Sequence, residues 1–187
     1  MDGRVERTVV VLTGAGGPLG HRVGAAVDGC EVVLADSPAD DSVLALRSST
    51  GDGCASRVAA VVDLGSSDYD NRAARRESAT ESAAATLAIA DEVGADHVVF
   101  VSSALVYGAA ANNPVPLTED AALRPDVEFV FARQLASAEE LVEQWRTARP
   151  GRTTCVLRPA VALAADGSSR LATALVYGFG RRLAQAD

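Results

Sequence analysis

The sequence predicts an α/β fold, a doubly wound parallel sheet with helices on both faces. Three observations predict it. Short runs that are apolar on both faces alternate with longer segments of helical period. The first run ends in a glycine-rich turn that opens a helix. The composition is that of one folded domain: 187 residues, 48% hydrophobic and 22% charged.

Five runs read as buried strands: Val9 to Leu12, Glu31 to Ala35, Val58 to Leu64, His97 to Ser103, and Thr154 to Leu157, the last stopped by Pro159. Helices fill the intervals. Gly17 to Val27 follows the first strand. Arg72 to Val93 is alanine-rich, with Gly94 placed to end it. Phe129 to Ala148 has the clearest period, its stripe formed by Phe131, Leu135, Ala138, Leu141, Val142 and Trp145. Glu139, Glu140 and Glu143 are expected on its polar face. Asn112 to Pro125 holds Pro114, Pro116 and Pro125 and reads as an ordered loop. Strand–helix alternation of this kind implies right-handed crossovers.

Several function classes drop out. The apolar runs fall far short of the ~20 residues that a membrane span requires. The first residues show no leader peptide, so the chain reads as cytoplasmic. A net charge of −8 and a pI near 4.8 argue against a nucleic-acid partner. Cys30, Cys54 and Cys155 lie far apart and suggest neither a metal site nor a disulfide framework, but small buried hydrophobes in a reducing compartment. All 17 basic residues are arginine. A Schiff base, a phosphate-binding lysine, or a lysine tuning a phenol is therefore unavailable from this chain.

The segment Thr13-Gly14-Ala15-Gly16-Gly17-Pro18-Leu19-Gly20 joins the first strand to the first helix, with Gly14, Gly17 and Gly20 in a G-x-x-G-x-x-G spacing. The first glycine makes the tight turn, the second lets backbone approach a pyrophosphate, and the third lets helix and strand pack closely. The helix N-terminus offers free N–H groups to phosphates. Asp36, ending the second strand, stands where a carboxylate accepts the hydroxyls of an adenosine ribose. No arginine adjoins it to balance a 2′-phosphate, so NAD(H) is expected ahead of NADP(H).

Four stretches together resemble an extended short-chain dehydrogenase/reductase of the NAD-dependent epimerase/dehydratase kind. They are T-G-x-x-G-x-x-G at 13–20, V-V-D-L-G-S at 61–66, V-S-S-A-L-V-Y-G at 101–108 with P-V-P-L-T-E-D at 114–120, and L-R-P-A at 157–160. The resemblance implies a Rossmann-type sheet with chemistry at the carboxyl ends of its strands. It implies an NAD cofactor held by Gly14, Gly17, Pro18, Leu19, Gly20, Asp36, Leu64, Gly65, Ser66, Ser102 and Pro159. It implies Ser103 at the position of the catalytic serine. It also implies a small-molecule or nucleotide-sugar-like substrate, and a homodimer paired through helices 72–93 and 129–148, where Ala79, Ala83, Ala84 and Ala88 permit close approach.

The departures bear on activity. The family's Tyr-x-x-x-Lys pair, which passes a proton to or from substrate oxygen, aligns with Phe131 and Leu135. Phenylalanine has no proton to give and leucine no charge. General acid–base help is worth roughly 10²–10⁴-fold, so most of the redox rate should be lost. A supporting asparagine aligns with Ala79. Two readings follow: a dinucleotide-binding domain without hydride transfer, in a regulatory or scaffold role, or an active enzyme, whether oxidoreductase, epimerase-like or a non-redox lyase or cyclase, in which Ser103 works with a surrogate donor such as Tyr69, near Asp70. Tyr107, His21 and His97 read as structural or solvated, and Asp40 and Asp41 as a solvated face or helix cap.

The interval between Asp36 and Val58 is too short for the family's helix, strand and helix. In one register the edge strand is missing, leaving five strands in the order 2-1-3-4-5, with Leu64-Gly65-Ser66 as a loop on the nicotinamide side. In the other, Asp63 contacts adenine and the next strand is deleted. The whole chain, 1–187, reads as one NAD(P)-binding domain, either complete or the first part of a longer protein.

Overall fold

The computed structural model describes residues 7–16, 18–37, 39–51, 56–65 and 78–160. The elements are β1 (Arg7–Thr13), α1 (Pro18–Ala26), β2 (Glu31–Leu34), α2 (Asp41–Gly51), β3 (Ser56–Asp63), α3 (Ala79–Glu92), β4 (His97–Val101), a 3-10 helix (Ala104–Tyr107), α4 (Val130–Thr147) and β5 (Thr153–Leu157). The five strands form one sheet in the order β2-β1-β3-β4-β5. Every pairing is parallel. The expected fold class and strand order therefore stand. β3 lies between β1 and β4, and Leu64 N–H donates to the Thr13 carbonyl at 2.9 Å. That adjacency agrees with the register in which the edge strand is the one lost.

Alternation within the strands decides which side chains reach which helix layer. Val9, Val11, Val61, Val98 and Phe100 are all at most 1% exposed and meet Ile89, Ala90, Leu135, Ala138 and Val142 in the larger core. Full burial of each large apolar side chain contributes about 1.5–3 kcal/mol. Leu12, Ala15, Leu64 and Val101 form a smaller cluster on the opposite face. The alanines of α3 have little side-chain bulk, so the helix sits close to sheet and α4. Ala79 and Ala83 are thus buried within the chain's own core, whereas Ala84 is exposed.

Helix ends follow local chemistry. Ser78 and Glu81 form a reciprocal capping box at the start of α3. Those hydrogen bonds from Ser78 hold the Glu81 carboxyl below its ordinary pKa. Gly94, in the left-handed region at φ 67°, follows the helix as expected. Residues 72–77 of the expected helix lie outside the described residues. α2 was legible only as a cap: the Asp40 carbonyl accepts the Val43 and Leu44 N–H groups, and its carboxylate accepts those of Asp36 and Ser37.

Two expectations need correction. Cys155 is exposed because β5 is an edge strand and its side chain alternates with the core-packed Val156, Cys30 is half-buried, and Cys54 lies outside the described residues. On α4 the buried residues are Ala132, Leu135, Ala138, Glu139, Val142 and Trp145. Phe131 and Leu141 only border the core. Glu139 follows Leu135 by one helical turn and so falls on the inward stripe, while Glu140 and Glu143 stay outside.

Candidate functional site

The described sequence-predicted residues gather at the carboxyl ends of the strands. Gly14 closes β1 at φ 63°, a conformation that favours glycine. A Cβ at this position would overlap the Gly65 backbone. The turns after β1 and β3 are therefore packed backbone to backbone. Gly20 meets a similar limit, since a Cβ there would overlap Ala15. This lets α1 begin directly on the turn. The Asp36 carboxylate accepts the Gly14 N–H at 2.9 Å, which ties the acid at the end of β2 to the glycine turn. Asp36 is exposed and Leu19 is 41% exposed. Gly17 and Ser66 lie outside the described residues, as do Tyr69 and Asp70.

Beneath these turns runs a polar ladder that sequence reading missed. Thr13 and Thr86 hydroxyls are 2.7 Å apart. Asp63, fully buried, accepts the Gly65 N–H at 2.8 Å and the Ser82 hydroxyl at 3.3 Å. Ser82 and Thr86 are one turn apart on α3, so a single helix face grips the ends of β1 and β3. The signal in the sequence was a pair of hydroxyl residues at helical spacing in an otherwise alanine-rich segment.

At the ends of β4 and β5, Ser102 N–H donates to the Leu157 carbonyl and Ala104 N–H to the Pro159 carbonyl, at 2.8 and 2.9 Å. Ser103 lies between these bonds. It is half-buried, and its hydroxyl oxygen accepts the Leu105 N–H at 3.3 Å, capping the 3-10 helix. Ser102 is buried and donates its hydroxyl to Glu139 Oε1 at 2.5 Å. Arg158, just beyond β5, reaches the same carboxylate, with Nη2 2.8 Å from Oε2 and Nε 3.1 Å from each oxygen. Its Nη1 donates to the Tyr107 hydroxyl at 2.6 Å and to the Glu119 carbonyl at 2.9 Å. The hydrogen bond to Glu139 raises the Arg158 pKa. Tyr107 is thus a packing residue with a bonded hydroxyl, and His21 is solvated, as expected.

Phe131 packs partly against the core, with its ring centroid 6.2 Å from that of Phe129. Leu135 is 0% exposed. Ala79 is buried at the first turn of α3. None of these three side chains can donate or accept a proton. Pro159 is exposed beyond β5, its carbonyl engaged by Ala104.

The model of the NAD dependent epimerase/dehydratase family matches residues 10–185. The chain belongs to the NAD-dependent epimerase/dehydratase family. Solved structures share its fold. A short-chain dehydrogenase/reductase superfamily protein from Agrobacterium tumefaciens, with bound NAD, is 26% identical at a TM-score of 0.58, over 80% of this chain and 48% of that one. UDP-glucose 4-epimerase from Brucella ovis, in complex with NAD, is 20% identical at 0.60, over 86% and 55%. UDP-N-acetylglucosamine 4-epimerase from Methanobrevibacter ruminantium, in complex with UDP-N-acetylmuramic acid, is 20% identical at 0.56, over 82% and 55%. This epimerase/dehydratase-family chain spans about half the length of these structures. No curated protein sequence matches it significantly. Among the described residues no helix is long and apolar enough to cross a membrane.

Proposed function

We propose that this epimerase/dehydratase-family domain binds NAD(H) without performing the family's hydride transfer. The observation that carries the reading is the contrast between two ends of one site. The glycine turn offers an open cradle: Gly14 against Gly65, the α1 N-terminus behind it, and the Asp36 carboxylate bonded to the Gly14 N–H. At the other end, Phe131 and the fully buried Leu135 supply neither acid nor base.

These residues fit a dinucleotide. The backbone N–H groups at the start of α1 would meet the pyrophosphate, and Asp36 the adenosine ribose. Leu64, Gly65, Ser103 and Pro159 border the nicotinamide side. The cofactor, when bound, supplies a hydride donor or acceptor; Ser103 alone can hold an oxygen but is a poor proton donor. A carboxylate at Asp36 repels a 2′-phosphate, which favours NAD(H). The second ligand is nucleotide-sugar-like, as in the complex of the Methanobrevibacter epimerase. The reading includes a cytoplasmic homodimer paired through α3 and α4. An exposed free thiol at Cys155 suits a reducing compartment.

Titration calorimetry of the purified protein tests the cofactor, with NADH giving measurable heat at submillimolar concentration and NADPH less. Absence of heat from both at millimolar concentration refutes it. Steady NAD reduction by the unmutated chain, abolished by Ser103→Ala, would refute the loss of hydride transfer.

A further inference from the structure

The geometry points to the Glu139–Arg158 pair as a brace that aims Ser103 at the nicotinamide half of a bound dinucleotide. The inference rests on the dinucleotide reading above. Glu139 is 5% exposed on α4, and a carboxylate this buried is costly unless paired and hydrogen-bonded. Its two direct partners come from other elements. Ser102 lies just beyond β4, Arg158 just beyond β5, and through Arg158 the carboxylate connects to Tyr107 in the 3-10 helix and to Glu119 in the proline loop. One guanidinium therefore joins helix, strand end and loop. A planar fork can reach all three acceptors at once, whereas an ammonium is a point charge on a flexible stem.

Ser103 sits at the centre of this arrangement without belonging to it. Its neighbours on both sides are fixed: Ser102 by its N–H to Leu157 and its hydroxyl to Glu139, Ala104 by its N–H to Pro159. Its own hydroxyl oxygen accepts the Leu105 N–H, which leaves the O–H to donate outward. The buried pair thus makes a half-exposed serine rigid. Glu139 and Arg158 touch no ligand in this scheme; they are positioning residues acting through Ser102.

The experiment compares two ligands and two variants. NADH carries the nicotinamide half, and ADP-ribose lacks it while keeping the groups that meet the glycine turn and Asp36. Ser102→Ala cuts the link from Ser103 to the pair but leaves Glu139 and Arg158 joined, so the fold is retained. Arg158→Lys keeps the charge and loses the fork. Both variants should bind NADH about tenfold more weakly, the worth of one misaligned hydrogen bond, with ADP-ribose affinity unchanged. Amide hydrogen exchange at Ala104 and Leu105 should quicken by about tenfold without ligand, with Val11 and Leu12 unaffected. Equal weakening of both ligands, or none, overturns the inference. If the unmutated chain binds neither ligand, the dinucleotide reading fails by itself, and exchange decides the brace: unchanged rates at 104 and 105 overturn it.

Discussion

Leu135 and Glu139 stand one helical turn apart on α4, and both are buried, at 0% and 5% exposure. The first brings no charge. The second brings a charge and has it met by Arg158 at 2.8 Å. The helix thus keeps one ionic contact with the carboxyl end of the sheet, and that contact is internal to the protein.

Removing Arg158 strands a buried carboxylate, so Arg158→Ala should cost about 3–5 kcal/mol in chemical denaturation. Glu139→Ala should cost less. The Arg158 side chain is 21% exposed and retains Tyr107 and the Glu119 carbonyl. A larger loss from Glu139→Ala would contradict this account of which partner is the more deeply desolvated.

Leu135→Lys places an ammonium in the core and should destabilise by about 3–5 kcal/mol, with no gain in NAD reduction. Phe131→Tyr alone should change stability by less than about 1 kcal/mol, because the ring borders the core and a hydroxyl can reach solvent. Thermal and denaturant unfolding of the two variants separates these outcomes.

Gly14→Ala meets two obstacles: a positive φ of 63° and the Gly65 backbone. The left-handed conformation alone costs roughly 1–2 kcal/mol. The variant should lose NADH heat in calorimetry and unfold at lower temperature. Full retention of both would mean that the two turns separate readily.

Asp36→Asn removes the repulsion toward a 2′-phosphate while keeping an acceptor for the Gly14 N–H. The preference for NADH over NADPH, measured by competition, should shrink by about tenfold. An unchanged ratio would place the discriminating group elsewhere.

Glu81 provides a pH test. Its folded pKa lies below the ordinary 4.5, chiefly through hydrogen bonds from Ser78. A depressed carboxylate pKa gives stability that is present above the unfolded value and lost as pH falls through the folded one. Glu81→Gln should therefore show a smaller drop in Tm between neutral pH and about pH 3 than the unmutated chain. An identical drop would show that the capping box does not contribute to acid sensitivity.

The sequence by itself determined the strand–turn–helix at Gly14, the acid at Asp36, the alternation of five strands with helices, and side chains at Phe131 and Leu135 that carry no titratable proton. These depend on residue chemistry and short-range period, which are local. Tertiary structure alone decided which register β3 takes, that Glu139 turns inward to meet Ser102 and Arg158, that Arg158 links it to Tyr107, that Asp63 accepts both the Gly65 N–H and the Ser82 hydroxyl, and that Cys155 faces outward. Whether a carboxylate can be buried depends on a partner brought to it by the fold, here from 19 residues along the chain on a different element. Glu139 was expected on the polar face of α4 with Glu140 and Glu143; it lies one turn from Leu135, and only the arrival of β5 and Arg158 beside α4 made the inward face habitable for a charge.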